Sequence, residues 1–129
     1  RPEVKYGDNS RIDFLLTDKS ETAPDIYVEV KSVTLMRQAG LAEFPDSVTD
    51  RGRKHLEELT KIAKSGNRAV LFFLVQRSDC SAFGVASDID PTYAKVYKFA
   101  SLKGVEVMVY SCQLSQDEIK IEKSGYFKY

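Results

Sequence analysis

The chain has 129 residues, the size of one domain, and its 43% hydrophobic and 29% charged content is ordinary for a globular protein with a real core. Nineteen basic residues balance nineteen acidic ones, which excludes a global field drawing the chain to nucleic acid or anionic membrane, so any polyanion binding must come from a local patch. No apolar run approaches a membrane-spanning length, no signal-peptide pattern opens the chain, and Cys80 and Cys112, without metal-type spacing, read most simply as reduced thiols of a cytosolic protein.

In chain order, Glu3 to Tyr6 predicts a short strand, stopped by the turn signal Gly7-Asp8-Asn9, and Ser10 to Leu16 predicts a second strand in a tight hairpin with it. The polar stretch from Thr17 to Asp25 reads as a loop, and Ile26 to Val33 as a third strand. Thr34 to Phe44 has no clean period and contains Gly40, so an irregular excursion is expected there. A helix follows from about Val48 to Ser65, with Leu56, Leu59, Ile62 and Ala63 as its buried stripe and Gly66 as its stop. The continuous apolar run from Ala69 to Val75 suits a central strand covered on both faces. Asp90-Pro91 marks the start of a second helix, whose stripe is Tyr93, Val96, Tyr97 and Ala100 and whose end is Gly104. Val105, Val107 and Val109 then alternate as in a half-buried strand, and Ser115 to Glu118 has capping-box spacing for a short turn of helix. Three closely linked strands favour antiparallel pairing and the later strand-helix-strand unit a parallel crossover, giving an α/β (α+β) fold with a mixed sheet flanked by helices.

Parity along the early strands brings chemistry together. Ile12, Phe14 and Leu16 share one face of the second strand and leave Arg11 and Asp13 on the other. Ile26, Val28 and Val30 share one face of the third and leave Tyr27, Glu29 and Lys31 opposite. With both apolar faces turned to the core, two carboxylates and an ammonium meet on the remaining face, since paired strands lie about 4.8 Å apart. Asp13 and Glu29 can then direct oxygens at one hard cation such as Mg2+ (or Mn2+), which keeps several waters and takes one or two carboxylates. Lys31 stands where it can act on an attacking water or on charge developing at phosphorus. Glu-x-Lys on a strand also suits an ordinary solvated face, and spacing alone favours that plainer outcome.

A second notable stretch runs from Phe44 to His55. Arg51, Lys54 and His55 fall three and four residues apart on one side of the predicted helix, where they can receive phosphates, with Thr49 adding a hydroxyl. Capping by Asp46, Ser47 or Thr49, followed by a solvated face, fits the same residues equally well. His55, the sole histidine, borders the apolar stripe and equally suits a hydrogen-bonded place at the core edge. Tyr93 and Tyr97 read as core rather than as a base-stacking platform.

Asn9-Ser-Arg-Ile-Asp-Phe-Leu-Leu16, Tyr27-Val-Glu-Val-Lys31, Gly40-Leu-Ala, Phe44-Pro-Asp46, Val48-Thr49, Arg51-Gly52, Lys54-His55-Leu56 and Phe73-Leu-Val-Gln-Arg77, continued by Asp88-Ile-Asp-Pro91 and Gly104-Val-Glu-Val107, form an ordered series over nearly the whole chain. It resembles the sugar fermentation stimulation protein A family, a bacterial and archaeal cytosolic group. The resemblance implies a PD-(D/E)xK restriction-endonuclease-like core across residues 1–129, with Asp13, Glu29 and Lys31 at the nuclease motif positions and Asp13 and Glu29 as ligands of Mg2+ or Mn2+. It also implies that an N-terminal OB-type domain linked to DNA binding, and a helix leading into the core, are absent from this sequence. DNA is the implied partner, mainly through that domain; no membrane is expected, and a homodimer is left open. The implied functions are metal-dependent phosphodiester hydrolysis, non-catalytic DNA binding that regulates sugar metabolism genes, or protein interaction on a nuclease-like scaffold.

Overall fold

The longest apolar strand sets the frame. Arg68–Val75 (β6) lies in a six-stranded sheet ordered β1-β2-β3-β6-β8-β9, built with Pro2–Tyr6 (β1), Ser10–Leu16 (β2), Ile26–Val33 (β3), Glu106–Leu114 (β8) and Ile119–Glu122 (β9). The computed structural model describes residues 2–6, 10–16, 24–114 and 119–122, and side chains for residues 15, 16 and 24–111. β1, β2 and β3 pair antiparallel, β3, β6 and β8 pair parallel, and β9 returns antiparallel to β8. The mixed sheet, the early hairpin and the parallel unit match the expectation from sequence.

Helix α1 (Asp50–Lys64) links β3 to β6 after an excursion, and α2 (Pro91–Leu102) precedes β8. The chain advances across the sheet in one direction, from β3 to β6 to β8, so crossovers of one hand lay both helices on one face. There Leu56 and Leu59 of α1, Tyr93 and Ala100 of α2, and Leu71, Phe73, Val75 and Val109 of the sheet close a single core. Ile62, Ala63, Val96 and Tyr97 pack at its edge, so both predicted helical stripes are buried as expected. Thr49 caps α1 and Asp90 caps α2, while Gly66 and Gly104, with φ of 98° and 105°, turn the chain just beyond the helix ends.

Three expectations are corrected. The stretch from Thr34 to Phe44 is not irregular: Leu35–Gln38 (β4) and Leu41–Phe44 (β5) form a hairpin across Ala39-Gly40, where Gly40 has φ 79°. A further strand, Ala82–Val85 (β7), pairs parallel with β5 and completes a three-stranded second sheet. Phe83 of β7 and Phe44 of β5 pack with tilted rings against Phe73, which anchors this sheet to the core.

The third correction concerns direction. The core lies on the Leu15, Tyr27, Glu29, Lys31 and Val33 side of β2 and β3, because α1 covers that face; Leu15 is buried and Leu16 is 50% exposed. β6 follows suit, with Ala69, Leu71, Phe73 and Val75 fully buried. Of its opposite face only Val70 is buried, and Phe72 and Leu74 are half-buried, so the strand is not sealed equally on both sides. The predicted turns at Gly7 to Asn9 and Ser115 to Glu118, most of the loop from Thr17, and the side chain of Cys112 lie outside the described residues. Cys80 is a free thiol. Among the described residues no helix is long and apolar enough to cross a membrane.

Candidate functional site

Turning β3 toward α1 buries charge. Glu29 is only 3% exposed, held in the middle of β3 between the parallel strand β6 and the antiparallel strand β2. A lone carboxylate there would be costly, and two neighbours compensate it. The Lys31 ammonium lies 3.2 Å from Glu29 Oε1, two residues along the same face. His55 Nδ1, reaching down from α1, lies 2.9 Å from the same oxygen. Lys31 Nζ and His55 Nδ1 are themselves 2.9 Å apart, so the three groups close a triangle. Nδ1 either accepts from the ammonium or donates to the carboxylate, never both at once. Burial raises the Glu29 carboxyl, but the hydrogen bond from His55 and the positive charge of Lys31 outweigh it and hold the group below the usual glutamate range.

The other carboxylate oxygen, Glu29 Oε2, is buried and has no hydrogen-bond partner among the described residues. Such an atom is rare in a native interior, because an unmet buried acceptor costs about 1–3 kcal/mol and more when charged. The Tyr93 hydroxyl of α2 is also buried without a partner among the described residues. Burial first, and then the nearby Tyr97, Glu29 and Asp90, push the Tyr93 hydroxyl up, which keeps it protonated.

Asp13 can be placed by backbone register alone. β2 pairs with β3 through Phe14↔Val28, Leu15↔Tyr27 and Leu16↔Ile26, and one further step along the same ladder sets Asp13 opposite Glu29. The Asp13 side chain lies outside those described. Among the described residues no three His, Cys, Asp or Glu side chains gather closely enough to hold a metal.

The basic stretch separates into two parts. Arg51 and Lys54 are exposed on the first turns of α1 and have no ion-pair partner among the described residues, whereas Arg53 is engaged by Glu57 at 2.7 Å. His55 does not stand beside them: it is 7% exposed and belongs to the buried stripe of Gly52, His55, Leu56, Leu59 and Thr60. Thr49 takes the capping role, its hydroxyl oxygen accepting from the Gly52 N–H at 2.9 Å. Sequence reasoning found Glu29 and Lys31 but missed the contact of His55 with both. The signal was present, since residue 55 lies three after buried Gly52 and four before buried Leu59.

Known proteins share this architecture. The family model described as the sugar fermentation stimulation protein RE domain matches residues 1–118. A sugar fermentation stimulation protein homolog of Roseobacter denitrificans is 56% identical over 121 residues, covering 94% of this chain and 51% of that protein. The homolog from Ruegeria sp. (strain TM1040) is 60% identical over 119 residues, covering 92% and 50%. The structure of Pyrococcus furiosus SfsA in complex with Ca2+ superimposes with a TM-score of 0.87 at 30% identity, over 100% of this chain and 54% of that one. The chain thus spans about half the length of the relatives it matches. With a buried, half-partnered glutamate at its centre and this match along its length, the chain belongs to the sugar fermentation stimulation protein family.

Proposed function

We propose that this domain is a divalent-cation centre for phosphodiester hydrolysis in DNA, of the PD-(D/E)xK type. The observation that carries the reading is Glu29 Oε2: a buried carboxylate oxygen without a donor among the described residues, next to an ammonium, with the backbone of Asp13 one step beyond Phe14↔Val28 in the β2–β3 register. The donor set is two carboxylates, which suits Mg2+ or Mn2+ completed by water and phosphate oxygens. The Pyrococcus furiosus relative is described as a Ca2+ complex, and a site for that hard ion accepts the same oxygen ligands.

Asp13 and Glu29 would hold the ion. When bound, it supplies charge neutralisation at a phosphodiester and acidifies water. Lys31, kept beside Glu29 and 14% exposed, is the residue whose ammonium would orient a water or steady charge on a phosphoryl oxygen. Arg51 and Lys54 take the nucleic-acid backbone at the start of α1, where the helix dipole also favours phosphate.

Incubation of plasmid DNA, single-stranded DNA and RNA with the purified chain and Mg2+ or Mn2+ tests the reading. Cleavage of DNA by the wild-type chain, lost in Glu29→Ala and Lys31→Ala, is the expected result. Cleavage that persists unchanged in Lys31→Ala overturns the assignment.

A further inference from the structure

His55 has no part in the nuclease motif, yet it touches both of the motif residues on β3. Its Nδ1 lies 2.9 Å from Glu29 Oε1 and 2.9 Å from Lys31 Nζ, and at 7% exposure the ring is fixed by the packing of α1 on the sheet. Glu29 has two oxygens, of which Oε1 carries both contacts and Oε2 carries none. We propose that His55 is a positioning residue of the metal centre, holding Glu29 through Oε1 so that Oε2 is kept for the cation and Lys31 stays beside it. The inference rests on the reading of Glu29 as a metal ligand.

The physical basis is rotamer restriction. A glutamate carboxylate turns broadly about its last torsion, so one tethered oxygen defines where the other lies. The tether also answers how a charge is kept in the core before any cation arrives: His55 and Lys31 hold Glu29 ionised against its burial. Groups that orient a ligand in this manner typically contribute about 10- to 100-fold in metal affinity. An α1 residue in this role also joins metal binding to the docking of the helix that carries Arg51 and Lys54.

Mn2+ binding measured by titration calorimetry, without substrate, separates the possibilities. His55→Leu keeps the apolar bulk and removes Nδ1; His55→Asn places an amide where Nδ1 stands; His55→Gln places it one atom further out, near the position of Nε2. Binding about 10- to 100-fold weaker in His55→Leu, restored to within about threefold of wild type in His55→Asn but not in His55→Gln, is the expected result. Wild-type affinity in His55→Leu, with binding lost in Glu29→Ala, overturns the role of His55 and leaves the metal site standing. Wild-type affinity in Glu29→Ala overturns the metal site itself, and the inference with it. Should His55→Leu fail to fold, the Asn and Gln variants decide: equal Mn2+ affinity in the two overturns the proposal.

Discussion

Gly52 shows how one missing methyl group sets the junction of the two helices. A glycine inside a helix ordinarily costs about 1 kcal/mol relative to alanine, so replacing it should stabilise. Here a Cβ would stand 2.8 Å from Thr49 Cγ2, 2.9 Å from Thr49 Oγ1 and 3.3 Å from Tyr93 Cε2. Thr49 cannot turn away without giving up the cap, because the same Oγ1 accepts from the Gly52 N–H. Loss of an N-cap costs about 0.5–2 kcal/mol, and the contact with Tyr93 resists a compensating shift of the helix. Gly52→Ala should therefore lower stability by about 1–2 kcal/mol in urea denaturation, the reverse of its propensity. A more stable variant would show that the Thr49 cap is dispensable. In the sequence Gly52 enters only within the Arg51-Gly52 motif; two of the contacts that exclude a side chain come from Thr49, three residues earlier, and the third comes from Tyr93 of the other helix.

Between elements, Asp90 is the main link. One carboxylate oxygen accepts from the Tyr93 N–H and caps α2, and the other accepts from the Thr49 N–H at the start of α1, both at 2.9 Å. These backbone donors, Thr49 first and then Tyr93, hold Asp90 below its ordinary value of 3.8 against the effect of burial. A folded value below the unfolded one means that the stabilisation is complete above pH 3.8 and is lost as the pH falls through the lower, folded value. Asp90→Ala should cost about 2–4 kcal/mol at neutral pH, since two N–H groups lose an ionised acceptor. The gap between variant and wild type should narrow in urea denaturations run at progressively lower pH below about 4. A gap independent of pH would show that Asp90 acts through shape alone. The Asp90-Pro91 cap was legible because both partners are local; its bond to Thr49 spans 41 residues and was not. The strands β4, β5 and β7 escaped for a related reason. Each is four residues long, too short for a period to emerge, and they are held by pairing with one another and by Phe44 and Phe83 on Phe73.

Across the whole molecule, the mixed pairing and the order of the five central-sheet strands β1, β2, β3, β6 and β8 with the two helices followed from the run of strands and helices, whereas β4, β5, β7, β9 and the buried side of β2 and β3 did not. Parity correctly grouped Glu29 with Lys31, but the rule that apolar faces turn inward sent that group to solvent, and the site is where the rule is broken. The charges can lie beneath α1 because each meets a partner, and that partner, His55, comes from an element no strand pattern can see. The same accounting bounds how the domain meets a polyanion. With nineteen positive and nineteen negative residues the chain has no net field, and on the α1 surface Arg53 is already engaged by Glu57. Arg51 and Lys54, exposed on that helix, are the proposed phosphate contacts. Two such contacts predict that log K for duplex DNA falls with log salt at a slope of about −2, far shallower than for a basic DNA-binding domain. Arg51→Ala and Lys54→Ala should each reduce that slope by about one while leaving Mn2+ affinity unchanged, because the partners of Glu29 among the described residues are Lys31 and His55. Fluorescence anisotropy over a salt series reads the slope directly. A slope that neither substitution alters would move the nucleic-acid path off α1 while leaving the buried centre intact.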